Sequence, residues 1–89
     1  MKKYYYYVYI LQSLLDKTLY TGSTNDIDWR VIKHNLKMSK YTSKKEHLFL
    51  IFYSKFIGKD AKQKALKFEK YLKSGSGRAF IKRHILLEK

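Results

Sequence analysis

The chain has 89 residues, 45% hydrophobic and 30% charged, with no cysteine: enough for one small packed domain, without disulfides or thiolate metal sites to hold it. Twenty Lys and Arg stand against seven Asp and Glu, a net charge of +13, which repels copies of itself and attracts polyanions, nucleic acid first and an anionic membrane surface second. No run reaches the ~18 apolar residues of a membrane-spanning helix, and Met1-Lys2-Lys3 followed by a tyrosine run, with no small-residue cleavage site, makes a poor secretory signal. The expected location is the cytoplasm and the expected state a monomer.

Tyr4 to Ser13 is rich in Tyr, Val and Ile and reads as a first strand. Leu14 to Lys17 is a turn, and Thr18 to Ser23 a second strand, so the pair forms an antiparallel hairpin. Thr24 or Asn25 suits a helix N-cap, and Asp26 and Asp28 suit the positive end of a helix over about Asp26 to Leu36, with Ile27 and Val31 on its apolar stripe. Lys37 to Glu46 is basic and without period and reads as a loop. Leu48 to Phe56 is a third strand whose continuous LFLIFY run predicts a central position covered on both faces. Asp60, with Gln63 three residues on, predicts a capping box for a helix carrying Ala61, Ala65, Phe68 and Leu72 at helical spacing. Ser74 to Gly77 reads as a turn, and Arg78 to about Leu87 as a last short helix. The order ββαβαα predicts a single α+β domain over 1–89 with a three-stranded antiparallel sheet.

Alternation puts Tyr5, Tyr7, Tyr9 and Leu11 on one face of the first strand, and Thr18, Tyr20 and Gly22 on one face of the second. The hydroxyls of Tyr9 and Tyr20 can therefore meet across the hairpin. Strand tyrosines are more often packing residues with a wet polar tip, and Tyr4 to Tyr6 are read that way. Arg30 and His34, four apart, share a helix face. Glu69 alone reads as an exposed helix carboxylate paired with Lys73 at i+4.

Tyr7-Val8-Tyr9 and, ten residues later, Tyr20-Thr21-Gly22 resemble the paired motifs of the GIY-YIG nuclease superfamily. The stretch from Gly22 to Asn35 resembles that family's glycine, capped helix, arginine and His-Asn ending. Lys40-Tyr41-Thr42 resembles its basic loop, the segment Phe68 to Ser74 its glutamate-bearing helix, and Gly77 to Lys82 the small single-domain branch related to the UvrC catalytic module. Each motif alone is weak; five in order, spanning Tyr5 to Ile85, are specific.

The resemblance implies a metal-dependent endonuclease acting on DNA more readily than RNA, with weak or structure-based selectivity. Tyr9 and Tyr20 match the motif tyrosines, one of which serves as general base or proton relay. A tyrosine of ordinary pKa near ~10 needs positive surroundings to act as phenolate, and this chain is strongly cationic. Arg30 matches the arginine whose planar fork suits a phosphate gaining charge. His34 matches a position held by His or Tyr, a donor to phosphate or leaving oxygen. Glu69 matches the acidic ligand of one divalent ion, Mg²⁺ or Mn²⁺. Gly22 is where backbone turns or approaches phosphate. Lys33, Lys37, Lys40, Lys44, Lys45, Arg78 and Lys82 are expected phosphate contacts, with Tyr41 stacking on an unpaired base; Phe80 reads as core.

Tyr7 and Val8 stand where the first motif has glycine and isoleucine, and Thr21 where the second has isoleucine. Many family members carry a late asparagine that supports the site; no asparagine follows Asn35 here. Trp29 beside Arg30 reads as a packing anchor. The alternative from the residues themselves is a non-catalytic nucleic-acid-binding module on the same fold, whose affinity would fall steeply with salt. Membrane attachment would need an exposed apolar face on Gly77 to Leu87, and no membrane role is expected.

Overall fold

The computed structural model describes residues 4–41 and 48–86, with the backbone alone over 36–41. The elements run β1 (Tyr5–Ser13), β2 (Leu19–Thr24), α1 (Ile27–Tyr41), β3 (Leu48–Ile57), α2 (Ala61–Leu72) and α3 (Gly75–Ile81), ending in a π-helical turn over Lys82–Leu86. This is the predicted α+β order, with an antiparallel sheet in the order β2-β1-β3.

The hairpin closes as its residues dictate. The Ser13 N–H donates to the Thr18 carbonyl at 2.9 Å, and the Asp16 carboxylate accepts from the Thr18 N–H at 3.0 Å. Lys17 takes the positive φ of 65° that the tight reversal needs.

β3 is an edge strand, not the predicted central one; β1 takes the middle because it pairs on both sides. The register slips between Ile10 and Leu11: Ile10 faces Phe52, while Leu11 faces Leu50, so Ile51 is the extra residue of a bulge. The bulge shifts the phase of alternation. Leu48 then joins the cluster with Tyr9 and Leu11, whereas Ile51, Phe52 and Phe56 pack with Val8 and Ile10 on the opposite side. An apolar run that imitates two-sided burial is thus two out-of-phase one-sided segments, and Phe49, Tyr53 and Ile57 stay exposed.

Helix α1 begins one residue later than the predicted cap. Asp26 is the residue whose carboxylate accepts from the Trp29 N–H, at 3.1 Å. Thr24 sits behind it, its hydroxyl accepting from the Asp26 N–H at 3.1 Å. The helix continues to Tyr41 through half of the segment expected to be a loop. Lysine and methionine are good helix formers and no Gly or Pro intervenes, so a basic composition alone does not end it. Residues 42–47 lie outside the description.

Helix α2 buries Ala61, Ala65 and Leu72, with Phe68 half-buried, as the spacing predicts. Its capping box does not form: the Asp60 side chain makes no cap hydrogen bond and pairs with Lys64 at 3.6 Å. Ser74 to Gly77 is not a turn between helices. Ser74 caps α3 by accepting from the Gly77 N–H at 3.2 Å, and Gly75 already opens the helix. Gly77 is buried where a Cβ would run into the Tyr71 carbonyl oxygen and the Leu72 Cα. Only glycine lets α3 turn back so closely on α2.

The main core lies between the sheet and α2/α3: Val8, Ile10, Ala65, Leu72 and Ile81, with Phe80, Ile85 and Leu86 packed against it. Phe80, Ile81, Ile85 and Leu86 are therefore turned to the core. Among the described residues no helix is long and apolar enough to cross one. The second core, under α1, is smaller: Tyr9, Leu11 and Leu48, flanked by Tyr20, Ile27 and Val31.

Candidate active site

Most of the predicted site residues gather at the smaller core. Tyr9 lies on the central strand, directly opposite Gly22 of β2. A Cβ on Gly22 would collide with the Tyr9 hydroxyl oxygen and stand 2.7 Å from its ring Cζ. The glycine is there to admit the Tyr9 ring, a reason different from the phosphate approach expected of it. The ring passes over Gly22 and meets α1, where the Tyr9 hydroxyl and His34 Nε2 form a hydrogen bond at 3.2 Å. The two rings sit edge to face at 5.9 Å.

Arg30, one helical turn before His34, is half-buried on the same side. Its charge and a hydrogen bond to the Tyr9 hydroxyl favour the phenolate, but burial disfavours it more, and Tyr9 ends above the ordinary tyrosine range. The cationic neighbours thus favour the phenolate in the expected sense, and burial of the ring outweighs them. Tyr20, paired with Leu11, lies on the same face and packs against Tyr9's cluster.

Glu69 reaches the site from the other side of the sheet. It projects from α2 to the outer strand, where the Ser23 hydroxyl donates to Oε1 at 2.7 Å and the Lys73 ammonium holds Oε2 at 2.7 Å. Partial burial opposes its ionisation, but these two hydrogen bonds and the Lys73 charge outweigh that, and the carboxyl lies below the ordinary glutamate range. Its charge is close enough to Tyr9 to oppose the phenolate. Glu69 and the Tyr9 cluster thus flank Gly22 and Ser23 from the two faces of one edge strand.

Among the described residues no group of three or more His, Cys, Asp or Glu comes together, so an all-protein metal cage is not what this site offers. One ionised carboxylate of hard oxygens does fit Mg²⁺ or Mn²⁺, which keep waters and take substrate phosphate as further ligands. Glu69 is the residue that would hold such an ion, with Lys73 giving up one oxygen.

Among the other predicted residues, Lys33 is exposed on α1 near His34. Arg78 and Lys82 are exposed on the last helical segment, lining a groove with Leu19 at the hairpin end of β2. They lie along the same edge strand as Ser23, away from Tyr9. Lys37, Lys40 and Tyr41 fall on the last turns of α1, where only the backbone is described, and Lys44 and Lys45 fall outside the described residues. Trp29 is not the expected packing anchor; it is 54% exposed, because the helix turns Ile27 and Val31 inward.

Three residues outside the predicted site set support it, Lys73 through the pairing with Glu69 that the spacing predicts. Ser23 and Lys73 fix the Glu69 carboxylate. Asn35 ties α1 to the start of β3: its side-chain N–H donates to the Leu48 carbonyl at 3.3 Å and its oxygen accepts from the Leu48 N–H at 2.8 Å. The i+4 spacing of Glu69 and Lys73 was a visible signal; nothing local pointed Ser23 at a residue 46 positions away.

The chain matches the model of the GIY-YIG catalytic domain over residues 5–83. It is similar to UPF0213 proteins of Streptococcus pyogenes serotypes M3, M1 and M4, each 39% identical over 80 residues that cover 88% of this chain and 86% of the relative. No solved structure matches. A family match across nearly the whole chain, over a fold that gathers the motif residues around one edge strand, shows that the chain belongs to the GIY-YIG family of nuclease domains.

Proposed function

We propose that this protein is a divalent-metal-dependent endonuclease that hydrolyses phosphodiester bonds in DNA, acting at the edge-strand site formed by Tyr9, Arg30, His34 and Glu69. The observation that carries the reading is the hydrogen bond between the Tyr9 hydroxyl and His34 Nε2 beside the Arg30 guanidinium. A buried phenol bonded to an imidazole is a proton relay. With Nε2 unprotonated, the Tyr9 hydroxyl donates to it. As a water oxygen attacks phosphorus, the water's proton passes to the Tyr9 oxygen and the Tyr9 proton passes to His34. No phenolate is needed, which agrees with the upward direction of the Tyr9 pKa.

Arg30 donates to a non-bridging oxygen of the phosphate, where charge grows in the transition state. The bond to the leaving strand breaks, and its oxygen takes a proton from His34 or from solvent. Glu69 would hold the divalent ion, which when bound would supply Lewis-acid charge for the reaction. Ser23 and Lys73 hold the carboxylate in one ionised orientation for that ion. Tyr20 supports the ring of Tyr9 through their shared cluster. Lys33, Arg78 and Lys82, with the basic residues of the α1–β3 segment, hold the strand electrostatically.

The test is cleavage of labelled single-stranded, duplex and branched DNA with Mg²⁺ or Mn²⁺, comparing the natural chain with Glu69→Gln and Arg30→Ala. Cleavage by the natural chain alone, with binding retained in Glu69→Gln, is expected. Binding of every substrate without cleavage of any, or equal cleavage by Glu69→Gln, would mean that the domain only binds nucleic acid.

A further inference from the structure

Helix α1 covers only one end of its side of the sheet, the end with Leu11 and Leu48. Beyond Tyr9 the same face continues open. Tyr7 lies opposite Lys55, and Tyr5 opposite Ile57, while Tyr53 lies opposite Tyr9 itself. Tyr53 is 53% exposed and Ile57 is 64% exposed. The Tyr7 and Tyr53 rings meet edge to face at 6.0 Å. The Lys55 ammonium stands 4.0 Å from the Tyr5 ring centroid and 6.0 Å from that of Tyr7.

Tyrosines on an open sheet face are ordinary where another layer covers them. Here no described element does, and the face combines three features that belong together on a strand-binding surface. It carries flat aromatic rings, Tyr5 and Tyr7 at the same-face spacing of about 6.6–6.8 Å along β1 and Tyr53 beside them on β3. It carries a cation among them. And it runs without a break into Tyr9, the residue proposed to take the proton of the attacking water. The complement of rings with a cation among them is a polyanion with flat, apolar faces of its own.

We infer that Tyr5, Tyr7, Tyr53 and Lys55 form a stacking platform for the unpaired bases of a nucleic-acid strand whose phosphate occupies the Tyr9–Arg30 site. The inference rests on the proposed nuclease reading and deepens it by naming the strand state of the substrate. A duplex hides the faces of its bases inside the stack and can offer the rings only its backbone and groove edges. An unpaired or splayed segment can lay its bases on the rings while Lys55 meets the phosphates between them. Bases and phosphates are common to DNA and RNA, so the platform by itself takes either, and the two are separated by experiment.

The experiment is binding without divalent metal, so that no cleavage intervenes. The probes are a single-stranded oligodeoxynucleotide of about a dozen residues carrying 2-aminopurine, its RNA counterpart, and the duplex of the same sequence. Stacking on the platform quenches 2-aminopurine when the natural chain binds the single strand. Tyr53→Ala is expected to weaken single-strand binding roughly five- to hundredfold, the loss of one base-stacking aromatic, and to leave duplex binding unchanged. Tyr53→Phe keeps the ring and restores the affinity. Lys55→Gln lowers affinity and shallows its salt dependence by about one counterion. Circular dichroism and a melting curve establish that each variant is folded.

Equal affinities for Tyr53→Ala and the natural chain would overturn the inference. So would parallel losses on single strand and duplex, or no quenching by the natural chain. Tyr53-dependent binding of the RNA in preference to the DNA would support the platform and assign it to RNA. Because the readout is binding alone, a protein that stacks bases but never cuts would leave the platform standing while the nuclease reading fell. One that cuts without Tyr53-dependent binding would do the reverse.

Discussion

The two faces of the sheet are built for different ends. The face under α2 and α3 is apolar and deep: Val8, Ile10, Ala65, Leu72 and Ile81 close it with aromatic rings around the rim. The face under α1 is shallow, and its buried residues include a tyrosine whose hydroxyl is committed to a histidine. One face holds the fold and the other spends its burial on orienting polar groups. In so small a domain there is little core to spare: the deep core takes one face and the Tyr9–His34 contact the other, all three strands give residues to both, and Glu69 alone of the proposed site residues stands on the deeper side.

Breaking the first face should cost stability before anything else. Leu72 is fully buried in the main core, and Leu72→Ala is expected to destabilise the domain by about 2–5 kcal/mol, read as a shift in the urea midpoint. Cleavage per folded molecule should hardly change. Gly22→Ala addresses the second face and should show the opposite balance. The methyl group drives the Tyr9 ring from its seat and moves the hydroxyl away from His34. Cleavage should fall on the order of a hundredfold, the usual cost of a misplaced reacting group, while strand binding in the absence of metal is nearly kept. If Gly22→Ala loses stability and activity in proportion, the division between the faces is wrong.

Most of the fold was legible because it is written locally. The Tyr and Val content of β1, the helical spacing of Ala61, Ala65, Phe68 and Leu72, and the short turn at Leu14 to Lys17 each act over a few residues. The errors have two origins. The bulge at Ile51 depends on what lies across the sheet, and no local pattern carries it; the continuation of α1 to Tyr41 and the capping of α3 by Ser74 are local, written in good helix formers and in a serine three residues before Gly77, and a basic or glycine-rich composition hid them. The site divides in the same way. Arg30 and His34 share a face by spacing alone, and motif spacing marks Tyr9 and Gly22. That Gly22 makes room for Tyr9, that Ser23 steadies Glu69 and that Asn35 anchors β3 are contacts between elements, visible only once they are assembled.

Asn35 tests the seam between the faces. It satisfies both backbone groups of Leu48 at the start of β3, and Asn35→Ala leaves them without that partner at a cost of about 1–3 kcal/mol. Hydrogen exchange should localise the loss to the Leu48 amide and the adjoining pairs of β3 with β1, with α2 protected as before. Even loss of protection throughout would mean that Asn35 supports the whole domain rather than the placement of α1.

The smallest expected effect lies at Glu69. Its folded-state pKa is depressed, so its contribution to stability is present above the unfolded value of about 4.3 and is lost as pH falls through the lower folded value. The same protonation removes the charge that would hold a divalent ion. Ser23→Ala deletes one of the two hydrogen bonds that favour the carboxylate, raises the Glu69 pKa and moves the acid limb of cleavage upward in pH. Near pH 8 the variant should cut almost as well as the natural chain; near pH 5 it should fall behind by less than about tenfold, since Lys73 remains and solvent at the rim weakens any single charged contact. Paired pH profiles of kcat/KM for the two proteins read this directly. A uniform loss at every pH would assign Ser23 to the geometry of the carboxylate rather than to its ionisation, and would shift the weight of the site from charge to position.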